Sequence, residues 1–323
     1  NLIKKKGNII TDESIPEFKK IKKISLNKKL KLYTLNNKKY NFKILSHSFK
    51  DEAQTIKIKI KNSIKEIKFN LIGKIQLKNI LMAIIAAEKS NININRIFKN
   101  IPKIKSVEGR FEKIGKIKNQ AKVILDYAHT PDALKTCILN LKEQFPYKKI
   151  VLLFGCGGNR DQNKRSKMGK IADDFSDKIY LTDDNPRNEN PDKIRKEIKK
   201  GIKRKKIVEI SDRAKAISKA IQNLNTGEIL LVAGKGHEKI QDIGKRKIYF
   251  SDKKIILDKI KIKNRNLSNN FKLNIIKEVS DNKKISSSIF FKRATINSQE
   301  VKKNDIFFAI KGKNNDGNNF VKQ

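Results

Sequence analysis

The sequence is poor in the residues that build covalent and metal cross-links. It contains two cysteines, Cys137 and Cys156, and three histidines, His47, His129 and His237, in 323 residues. None of them is spaced as a set of zinc ligands, so we set a structural metal site aside. So few cysteines exclude a disulfide framework and indicate a reducing compartment. We therefore expect a cytoplasmic protein.

Long hydrophobic runs are absent as well. No stretch of eighteen apolar residues occurs, which argues against a membrane-spanning helix. The chain begins with "NLIKKKGNII", which has neither an initiator methionine nor the apolar core of a signal peptide. We interpret the chain as an internal part of a longer protein.

Acidic residues are scarce relative to basic ones. Asp and Glu number 33 against 76 Lys and Arg, which gives a formal net charge of +43. This excess predicts either a nucleic-acid-binding protein or a lysine-rich coding bias spread over every surface. We favour the bias, because the lysines run along the full length and no DNA- or RNA-binding motif occurs. A general attraction for acidic small molecules, such as nucleotides, fits both interpretations.

What is present indicates two kinds of region. The alternating pattern of "TIKIKIK" (55–61) predicts a strand, and "LKNILMAIIAAEKS" (77–90), after the loop at Gly73, predicts a buried helix. A proline and a glycine within 97–114 mark a candidate domain boundary. From residue 121 the pattern changes to a regular alternation of strands and helices.

Five apolar segments in this second region predict strands, and four helices lie between them. The helices are expected from Thr130 as N-cap and Pro131 as first helical residue, near 166–176, over 191–204, and after a cap at Ser211. This alternation predicts a doubly wound, mostly parallel α/β sheet. The strand segments are "AKVILDY", "KKIVLLF", "DKIYLTD", "KIVEIS" and "EILLVAG".

Polar or glycine-rich turns follow four of these strands. In open α/β sheets, ligands bind at the carboxyl ends of the strands, so we expect these turns to form one cleft. The turns are "DYAHTPD" (126–132), "GCGGNRD" (155–161), "DDNPR" (183–187) and "GKGHE" (234–238).

Each turn has alternative interpretations. "GCGGNRD" is either a tight turn or a cradle of backbone N–H groups for an anion. His129 is either a structural histidine or a ligand contact, whereas Asp126 could accept hydrogen bonds from ribose hydroxyls. Lys235 is not followed by Ser or Thr, and no G-x-x-x-x-G-K-[ST] motif occurs. The chain is therefore not a complete nucleotide-hydrolysing unit of the phosphate-loop kind.

The turn "DDNPR" is suited to a zwitterion. Arg187 offers a planar fork for a carboxylate, Asp184 and Asn185 offer oxygens to an ammonium, and Pro186 fixes the turn. A ligand with two amino and two carboxyl groups fits the charges that share this edge. Those charges belong to Arg160, Arg187, Asp184 and Glu238.

The order of the motifs resembles the Mur ligases, most closely their diaminopimelate-adding MurE type. The segments concerned are "VEGRFE", "DYAHTPDAL", "FGCGGNRDQNKR", "MGKIA", "TDDNPR" and "LLVAGKGHE". The resemblance covers roughly residues 1–262 and is most specific over 107–238. It implies a cytoplasmic ATP- and Mg²⁺-dependent acid–amino-acid ligase of peptidoglycan precursor synthesis, a process that supports cell shape and division. ATP phosphorylates the D-glutamyl carboxylate of UDP-MurNAc-L-Ala-D-Glu, and the amine of meso-diaminopimelate attacks the acyl phosphate.

The family's binding residues carry over onto this sequence position by position. The wording D-N-P-R is the one associated with meso-diaminopimelate, and Gln76 stands where the family often has asparagine. The implied adenine and ribose contacts are Asn79, Arg110 and Asp126. The implied meso-diaminopimelate contacts are Arg160, Asp184, Asn185, Pro186, Arg187, Gly234 and Glu238.

The resemblance also implies a domain plan. Residues 1–106 correspond to the end of a central ATPase domain and 107–262 to the C-terminal domain. The family's phosphate loop, magnesium ligands and modified lysine would precede residue 1, so the catalytic residues lie outside this chain and we expect it to be inactive alone. Residues 263–284 are interpreted as a linker.

The last segment, 285–323, resembles the start of a second Mur ligase of the MurF type. Ser298 matches a serine near the UDP moiety, whereas Gln299 departs from the usual arginine. The chain then corresponds to the middle of a MurE–MurF fusion, and an unrelated C-terminal extension is the alternative. For the chain as a whole, the competing functions are a nucleic-acid-binding protein, a folate-polyglutamate-synthetase-like ligase and a catalytically inactive scaffold. We expect neither a membrane nor a nucleic-acid partner.

Overall fold

The structure is a computed structural model, and it describes most of the chain. The described residues are 7–35, 43–60, 63–204, 207–269, 271–272, 290–291, 293–310, 316 and 319.

The first region consists of two small sheets and a long helix. Strands β1 and β2 pair in parallel, and β3, β4 and β5 form an antiparallel sheet. The predicted strand at "TIKIKIK" corresponds to β4, whose Ile56 and Ile58 are buried and pack against α2. The elements are β1 (Asn8–Thr11), α1 (Phe18–Asn27), β2 (Lys31–Thr34), β3 (Lys43–Lys50), β4 (Ala53–Ile60), β5 (Ser63–Phe69), α2 (Lys74–Lys89), α3 (Ile94–Asn100) and a 3-10 turn, Ile101–Lys103.

The second region is the α/β sheet that the alternation predicts. Six strands lie in the order β10-β9-β8-β11-β7-β6; β7 to β11 are parallel and only β6 runs antiparallel, at one edge. A short antiparallel hairpin, β12 with β13, follows. The elements are β6 (Glu112–Lys113), β7 (Lys122–Asp126), α4 (Pro131–Gln144), β8 (Ile150–Phe154), α5 (Asn163–Phe175), β9 (Lys178–Leu181), α6 (Pro191–Lys199), β10 (Ile207–Glu209), α7 (Arg213–Gln222), β11 (Ile229–Ala233), β12 (Ile240–Asp242), β13 (Lys247–Tyr249) and α8 (Asp252–Asn269).

Helices cover both faces of this sheet, which explains the unbroken apolar strands. Along β8, Leu152 and Phe154 face the core formed with α4, α5 and α6, whereas Val151 and Leu153 face α7 and α8. Every residue of β8 and of β11 is buried. A strand buried on both faces needs apolar side chains at consecutive positions, because successive side chains point to opposite sides.

One predicted helix N-cap is confirmed by the structure and another is wrong. Thr130 caps α4, and its side chain accepts a hydrogen bond from the Ala133 amide, with Pro131 as the first helical residue. The predicted cap at Ser211 is wrong, because Asp212 occupies the N-cap position of α7 and accepts from the Lys215 amide. A carboxylate at an N-cap is also stabilised by the positive end of the helix dipole.

Some element boundaries differ from the sequence-based expectations. Helix α2 begins directly after Gly73, earlier than predicted, and α6 ends at Lys199 although we expected it to reach residue 204. Helix α8 runs to Asn269 and so extends into the segment that we interpreted as a linker. Residues 273–284, the last part of that linker, lie outside the described residues.

The C-terminal segment forms two short strand pairs. Strands β14 (Phe271–Lys272) and β15 (Phe290–Phe291) pair in antiparallel fashion, and β16 (Arg293–Thr295) pairs in parallel with β17 (Asp305–Phe307). Ser298 begins a 3-10 turn between the last two strands and is half-buried. Among the described residues, no helix combines the length and the apolar composition needed to span a membrane.

A buried glutamine joins the two regions. Gln144, at the end of α4, accepts a hydrogen bond from the Gly73 amide at 2.7 Å and donates to the Asp51 carbonyl at 3.0 Å. Asn140, one turn earlier, accepts from the Ile75 amide at 3.0 Å. These bonds fix the start of α2 on α4, because they satisfy amides of the first helical turn.

Candidate functional site

The four predicted turns lie on one edge of the sheet. Strands β7, β8, β9 and β11 end at Asp126, Phe154, Leu181 and Ala233, and all of them run in the same direction. Strand β11 lies between β7 and β8, so its exit loop sits between the turns that begin at Asp126 and at Gly155. This arrangement confirms the convergence that the sequence predicts.

The turn after β9 and the loop after β11 are bonded directly to each other. Asn185 Nδ2 donates to Glu238 Oε2 at 3.0 Å, and Lys235 Nζ donates to Asn185 Oδ1 at 2.9 Å. Lys235 Nζ also contacts Glu238 Oε2 at 3.2 Å and the Ile240 carbonyl at 2.6 Å. Three residues from two loops thus form one hydrogen-bonded cluster.

Lys235 is the member of this cluster that the sequence did not predict. Its side chain is completely buried, which is rare for lysine unless its charge is paired. It contacts an amide oxygen, a carboxylate and a carbonyl, so all three ammonium protons have partners. The only available signal was a lysine between two glycines, and that pattern does not distinguish a buried lysine from an exposed one.

The Asn185 side chain, which we expected to offer an oxygen to an ammonium, is hydrogen-bonded within the protein. Its Oδ1 accepts from Lys235 Nζ at 2.9 Å and from the Asp242 amide at 3.0 Å, so both lone pairs are used within the protein. The same two donors fix the amide orientation, and Nδ2 therefore faces Glu238. In this structure Asn185 Nδ2 therefore holds Glu238, and Oδ1 already has two protein donors.

Glu238 carries the negative charge of this edge. Its side chain is 31% exposed, so a ligand can reach it. Burial raises the pKa of Glu238, but the ammonium of Lys235 and hydrogen bonds from Asn185, Lys235 and Tyr127 outweigh burial and bring the pKa below its usual value. The carboxylate is therefore ionised at neutral pH and suited to an ammonium group.

Asp184 belongs to the turn after β9, and its side chain is buried. Its Oδ1 accepts from the Asn185 amide at 2.7 Å, and burial raises its pKa despite the attraction of Arg213 and Lys235. A Cβ on Gly234 would lie 2.7 Å from Asp184 Oδ2, and the Gly234 φ of +113° disfavours other residues as well. Gly234 is therefore required by close packing against Asp184.

Arg187 has a backbone conformation that points to a positional requirement. Its φ is +52°, in the left-handed region that non-glycine residues seldom adopt. Its Nη1 donates to the Gly158 carbonyl at 2.8 Å, and its Nε lies 3.8 Å from Asp242 Oδ2. Within the described residues Nη2 makes no hydrogen bond, so part of the guanidinium fork is available to a carboxylate.

The glycine loop after β8 packs against the turn that carries Arg187. A Cβ on Gly155 would lie 2.2 Å from the Thr182 carbonyl oxygen, and one on Gly158 would lie 1.9 Å from the Pro186 carbonyl oxygen. The Gly158 amide donates to the Asn185 carbonyl at 2.9 Å and is not free for an anion. These contacts favour the close-packing interpretation of this loop over the anion cradle.

Arg160 extends the positive side of the edge. The ideal Cβ position of Gly157 lies 2.9 Å from Arg187 Nη1 and 3.9 Å from Arg160 Cγ, so the two arginines flank one glycine. Arg160 is exposed and, in the part of the chain that the structure describes, forms no hydrogen bond or ion pair. We call Arg160, Asp184–Arg187, Gly234 and Glu238 the amino-acid end of the edge.

A buried ion pair fixes the glycine loop. Arg165, on α5, donates to the Gly157 carbonyl at 3.2 Å and to Glu189 Oε1 at 3.0 Å. Glu189 also accepts from the Asn159 amide at 2.5 Å. Nothing in the sequence predicts this contact, because Arg165 lies in a run of charged and polar residues that is typical of an exposed helix.

Three side chains are expected to contact the nucleotide, and we call them the nucleotide end. Their hydrogen bonds differ from those of the amino-acid end. Asp126 accepts from the Phe111 and Ala128 amides, both at 2.8 Å, so its two oxygens already have protein partners. Arg110 is exposed, and Asn79 is exposed on α2 with its amide bonded to Gln76 Oε1 at 3.2 Å. Within the described residues, no hydrogen bond joins Asn79 to Arg110 or Asp126.

Tyr127 lies between the two ends. Its hydroxyl donates to Glu238 Oε1 at 3.2 Å, and the Arg110 guanidinium carbon lies 4.4 Å from its ring centroid. The rings of His129 and His237 lie 4.6 and 5.3 Å from the same ring. His129 is exposed, and its Nδ1 lies 2.9 Å from the Tyr127 carbonyl oxygen, a local contact that favours the structural interpretation.

Both cysteines are free and buried. Burial, together with the charge of Asp126, raises the pKa of Cys137. Burial raises the pKa of Cys156 to about 12. Both thiols are therefore protonated at neutral pH and unreactive.

Known proteins are similar to this chain in sequence. Residues 109–236 match the family "Mur ligase, glutamate ligase domain". The UDP-N-acetylmuramoyl-L-alanyl-D-glutamate–2,6-diaminopimelate ligase of Rickettsia felis is 38% identical over 253 residues, 77% of this chain and 46% of that protein. The ligase of the same name from Fusobacterium nucleatum is 44% identical over 201 residues, 62% of this chain and 41% of that protein. The chain spans about half the length of the curated relatives it matches.

Solved structures agree with the sequence comparison. A structure of a UDP-N-acetylmuramoyl-L-alanyl-D-glutamate–2,6-diaminopimelate ligase superposes with a TM-score of 0.57 at 28% identity, covering 79% of this chain and 53% of that one. The MurF ligase of Thermotoga maritima shares the fold, with a TM-score of 0.56 at 15% identity, over 81% of this chain and 55% of that one. Residues 109–236 of this chain therefore match a Mur ligase glutamate ligase domain in sequence, and the fold agrees with that match.

Proposed function

We propose that this chain provides the amino-acid-binding part of an ATP-dependent ligase that adds meso-diaminopimelate to UDP-N-acetylmuramoyl-L-alanyl-D-glutamate. The observation that carries the proposal is the amino-acid end, where Arg160 and Arg187 flank one glycine and Asn185 connects the same turn to Glu238. The names of the relatives from Rickettsia felis and Fusobacterium nucleatum support the same substrate.

The charges at the amino-acid end of the sheet edge match one carboxylate of the ligand together with its neighbouring ammonium. The free part of the Arg187 fork, with Arg160 beside it, would pair with a carboxylate, and Glu238 would accept hydrogen bonds from the neighbouring ammonium. Meso-diaminopimelate has such a terminus at each end, so one can be held here while the other supplies the reacting amine. Because Lys235 and Asn185 fix Glu238 before the ligand arrives, little ordering is required on binding.

The reaction in this proposal is amide formation through an acyl phosphate. ATP, bound with Mg²⁺, supplies the phosphoryl group to the D-glutamyl carboxylate. The free amine of meso-diaminopimelate then attacks the carbonyl carbon, the C–O bond to phosphate breaks, and ADP and phosphate are released. Asn79, Arg110 and Asp126 are the proposed adenine and ribose contacts. The sequence contains no phosphate-loop motif, so we expect this chain to bind meso-diaminopimelate without hydrolysing ATP.

The domain plan is part of the same proposal. Residues 1–106 would be the end of the central ATPase domain, and 285–323 would begin a second ligase of the MurF type, with Ser298 near a UDP group. A cytoplasmic location and the remaining substrates follow from the proposed activity. Sequence beyond residue 323 tests the fusion, because a second ligase requires a further phosphate loop.

Titration calorimetry with meso-diaminopimelate tests the function. We expect the wild-type chain to bind it, and Arg187→Ala to weaken binding by about 2 kcal/mol or more, roughly 30-fold, since a charged partner of the carboxylate is lost. Arg187→Lys keeps the charge but not the fork and is expected to restore only part of the affinity. Arg96→Ala, at an exposed position on α3, is the control and should bind like the wild type.

The net charge of +43 supports one alternative, a nucleic-acid-binding protein. That function requires salt-sensitive binding to any duplex, with no dependence on Arg187. Such binding, combined with no heat signal for meso-diaminopimelate, would replace the ligase proposal. The folylpolyglutamate synthase of Thermotoga maritima shares the fold at 21% identity and a TM-score of 0.55. A likeness at this level of identity supports the fold alone and gives no support for a folate substrate.

A further inference from the structure

We propose that Tyr127 is a positioning residue for Glu238, connecting the segment that carries Arg110 to the carboxylate of the amino-acid end. The proposal rests on the proposed function for its ligand, but its structural basis is independent of it. Tyr127 directly follows β7, whereas Glu238 belongs to the loop after β11. Their hydrogen bond, 3.2 Å from the hydroxyl to Oε1, therefore joins two strand exits.

The two oxygens of Glu238 are held from opposite sides. Oε2 accepts from Asn185 Nδ2 at 3.0 Å and from Lys235 Nζ at 3.2 Å, and Oε1 accepts from Tyr127. Without the hydroxyl, Oε1 would have no protein donor among the described residues. The carboxylate could then rotate about its last torsion, because only one of its oxygens would be fixed.

Close packing keeps the Tyr127 ring in place. A Cβ on Gly236 would lie 2.8 Å from Tyr127 Cβ and 2.8 Å from the Gly109 carbonyl oxygen, and one on Gly109 would lie 2.2 Å from the His237 amide nitrogen. Segment 107–113 and the loop after β11 are therefore in direct backbone contact beside the ring. The Arg110 guanidinium covers the ring at 4.4 Å, a cation–π contact.

Several charged and titratable groups surround the Tyr127–Glu238 bond. Tyr127 and His129 come from the exit of β7 and Arg110 from the segment before β6, whereas the other groups come from the exits of β9 and β11 and from α7. Burial raises the Tyr127 pKa, and the negative charge of Glu238 raises it further, so the hydroxyl is a donor at neutral pH. The groups that face the pair are Lys235, Asn185, Asp184, Arg213, Arg110, His129 and His237.

Tyr127→Phe tests the proposal, because it removes the hydroxyl and keeps the ring under Arg110. We expect meso-diaminopimelate to bind about three- to tenfold more weakly, the usual effect of one lost hydrogen bond. The tyrosine hydrogen bond is one of the contacts that lower the Glu238 pKa. Its loss should raise that pKa, so affinity should begin to fall at a higher pH than in the wild type. Tyr147→Phe, at a fully exposed position, is the matched control.

A double variant separates positioning from general damage to the fold. In a Glu238→Ala background, which removes the acceptor of the tyrosine hydroxyl, Tyr127→Phe should have no further effect on affinity, because the hydroxyl acts through the carboxylate. An equal loss in both backgrounds would overturn the proposal, and so would a Tyr127→Phe variant with wild-type affinity and an unchanged pH profile.

A ligand-free measurement keeps this test separate from that of the proposed function. Carbon-13 NMR titration of the Glu238 carboxyl, assigned with Glu238→Gln, should show a higher pKa in Tyr127→Phe than in the wild type. An unchanged pKa would contradict the positioning role even if meso-diaminopimelate binds. Absence of meso-diaminopimelate binding by the wild type would instead defeat the proposed ligand and leave the Tyr127 result standing.

Discussion

The two ends of the sheet edge differ in how their side chains are held. At the amino-acid end, Asn185, Lys235 and Glu238 satisfy one another across two loops. At the nucleotide end, Arg110 and Asn79 are exposed, and Asp126 is occupied by backbone amides. The protein therefore organises one end by internal contacts alone, whereas the residues of the other end are not directed at one another.

Burial explains why this difference matters for binding. Buried polar groups must be paired, so a cluster such as that of Lys235 has one stable arrangement and presents Glu238 in a fixed position. Exposed side chains such as Arg110, which lies on the Tyr127 ring, and Asn79, which bonds to Gln76, are held by fewer contacts, so a ligand must order them further on binding. Changes at the amino-acid end should consequently affect stability and affinity together.

The largest effect is expected from Lys235→Met. This change leaves Glu238 Oε2, Asn185 Oδ1 and the Ile240 carbonyl without their buried donor, so the free energy of unfolding should fall by about 3 kcal/mol. Urea denaturation followed by circular dichroism measures the change. Lys239→Met, at the exposed neighbouring position, should stay within about 0.5 kcal/mol of the wild type. Equal stability of both variants would show that the cluster does not organise this end.

The next largest effect is the dependence of meso-diaminopimelate affinity on pH and on the charge of Glu238. Because the folded-state pKa of Glu238 lies below its ordinary value, the ionised form persists as the solution is acidified. Affinity for meso-diaminopimelate should stay level from pH 8 down to about 5 and decline only below the ordinary glutamate pKa of about 4.3. Glu238→Gln should bind roughly tenfold more weakly at neutral pH, since a charged hydrogen bond is lost. A midpoint near pH 6 in the wild-type titration would assign the dependence to another group.

Asp126→Asn should sharpen the contrast between the ends. An asparagine keeps one acceptor oxygen but turns an N–H₂ group toward the Phe111 or Ala128 amide, so stability should fall by about 1 kcal/mol. Affinity for meso-diaminopimelate should remain that of the wild type, because Asp126 contacts Gly234 only through its backbone carbonyl, which the substitution keeps. Calorimetry and urea denaturation of the same preparation test both statements. A tenfold loss of affinity would mean that the two ends are coupled through β7.

The smallest effect is expected from Asn79→Ala. Asn79 is exposed and bonded only to Gln76 in the described part of the chain, so stability should change by less than about 0.5 kcal/mol. Thermal unfolding and meso-diaminopimelate titration should both reproduce the wild type. A substantial loss in either measurement would show that α2 supports the amino-acid end.

The sequence predicts the framework of the site because its signals are local. Unbroken apolar segments identify β8 and β11, and each turn that follows contains the residues expected at the edge. The contacts that finish the site are not local. Lys235 and Asn185 are bonded across 50 residues, and nothing near either of them predicts a buried lysine.

The errors have equally specific physical causes. Ser211 and Asp212 are both good N-caps, and only the path of the chain decides that Asp212 reaches the Lys215 amide. Helix α8 was not predicted, because asparagines and lysines on its exposed face obscure a sparse apolar stripe. That stripe includes Ile256, Ile260 and Leu267, which pack against the sheet.

A crystal structure of the chain with meso-diaminopimelate tests the central claim most directly. We expect one carboxylate of the ligand against Arg187 and Arg160, the adjacent ammonium within hydrogen-bond distance of Glu238, and Asn185 and Lys235 in unchanged positions. A ligand bound elsewhere, or bound here only after the Lys235 cluster has rearranged, would contradict it.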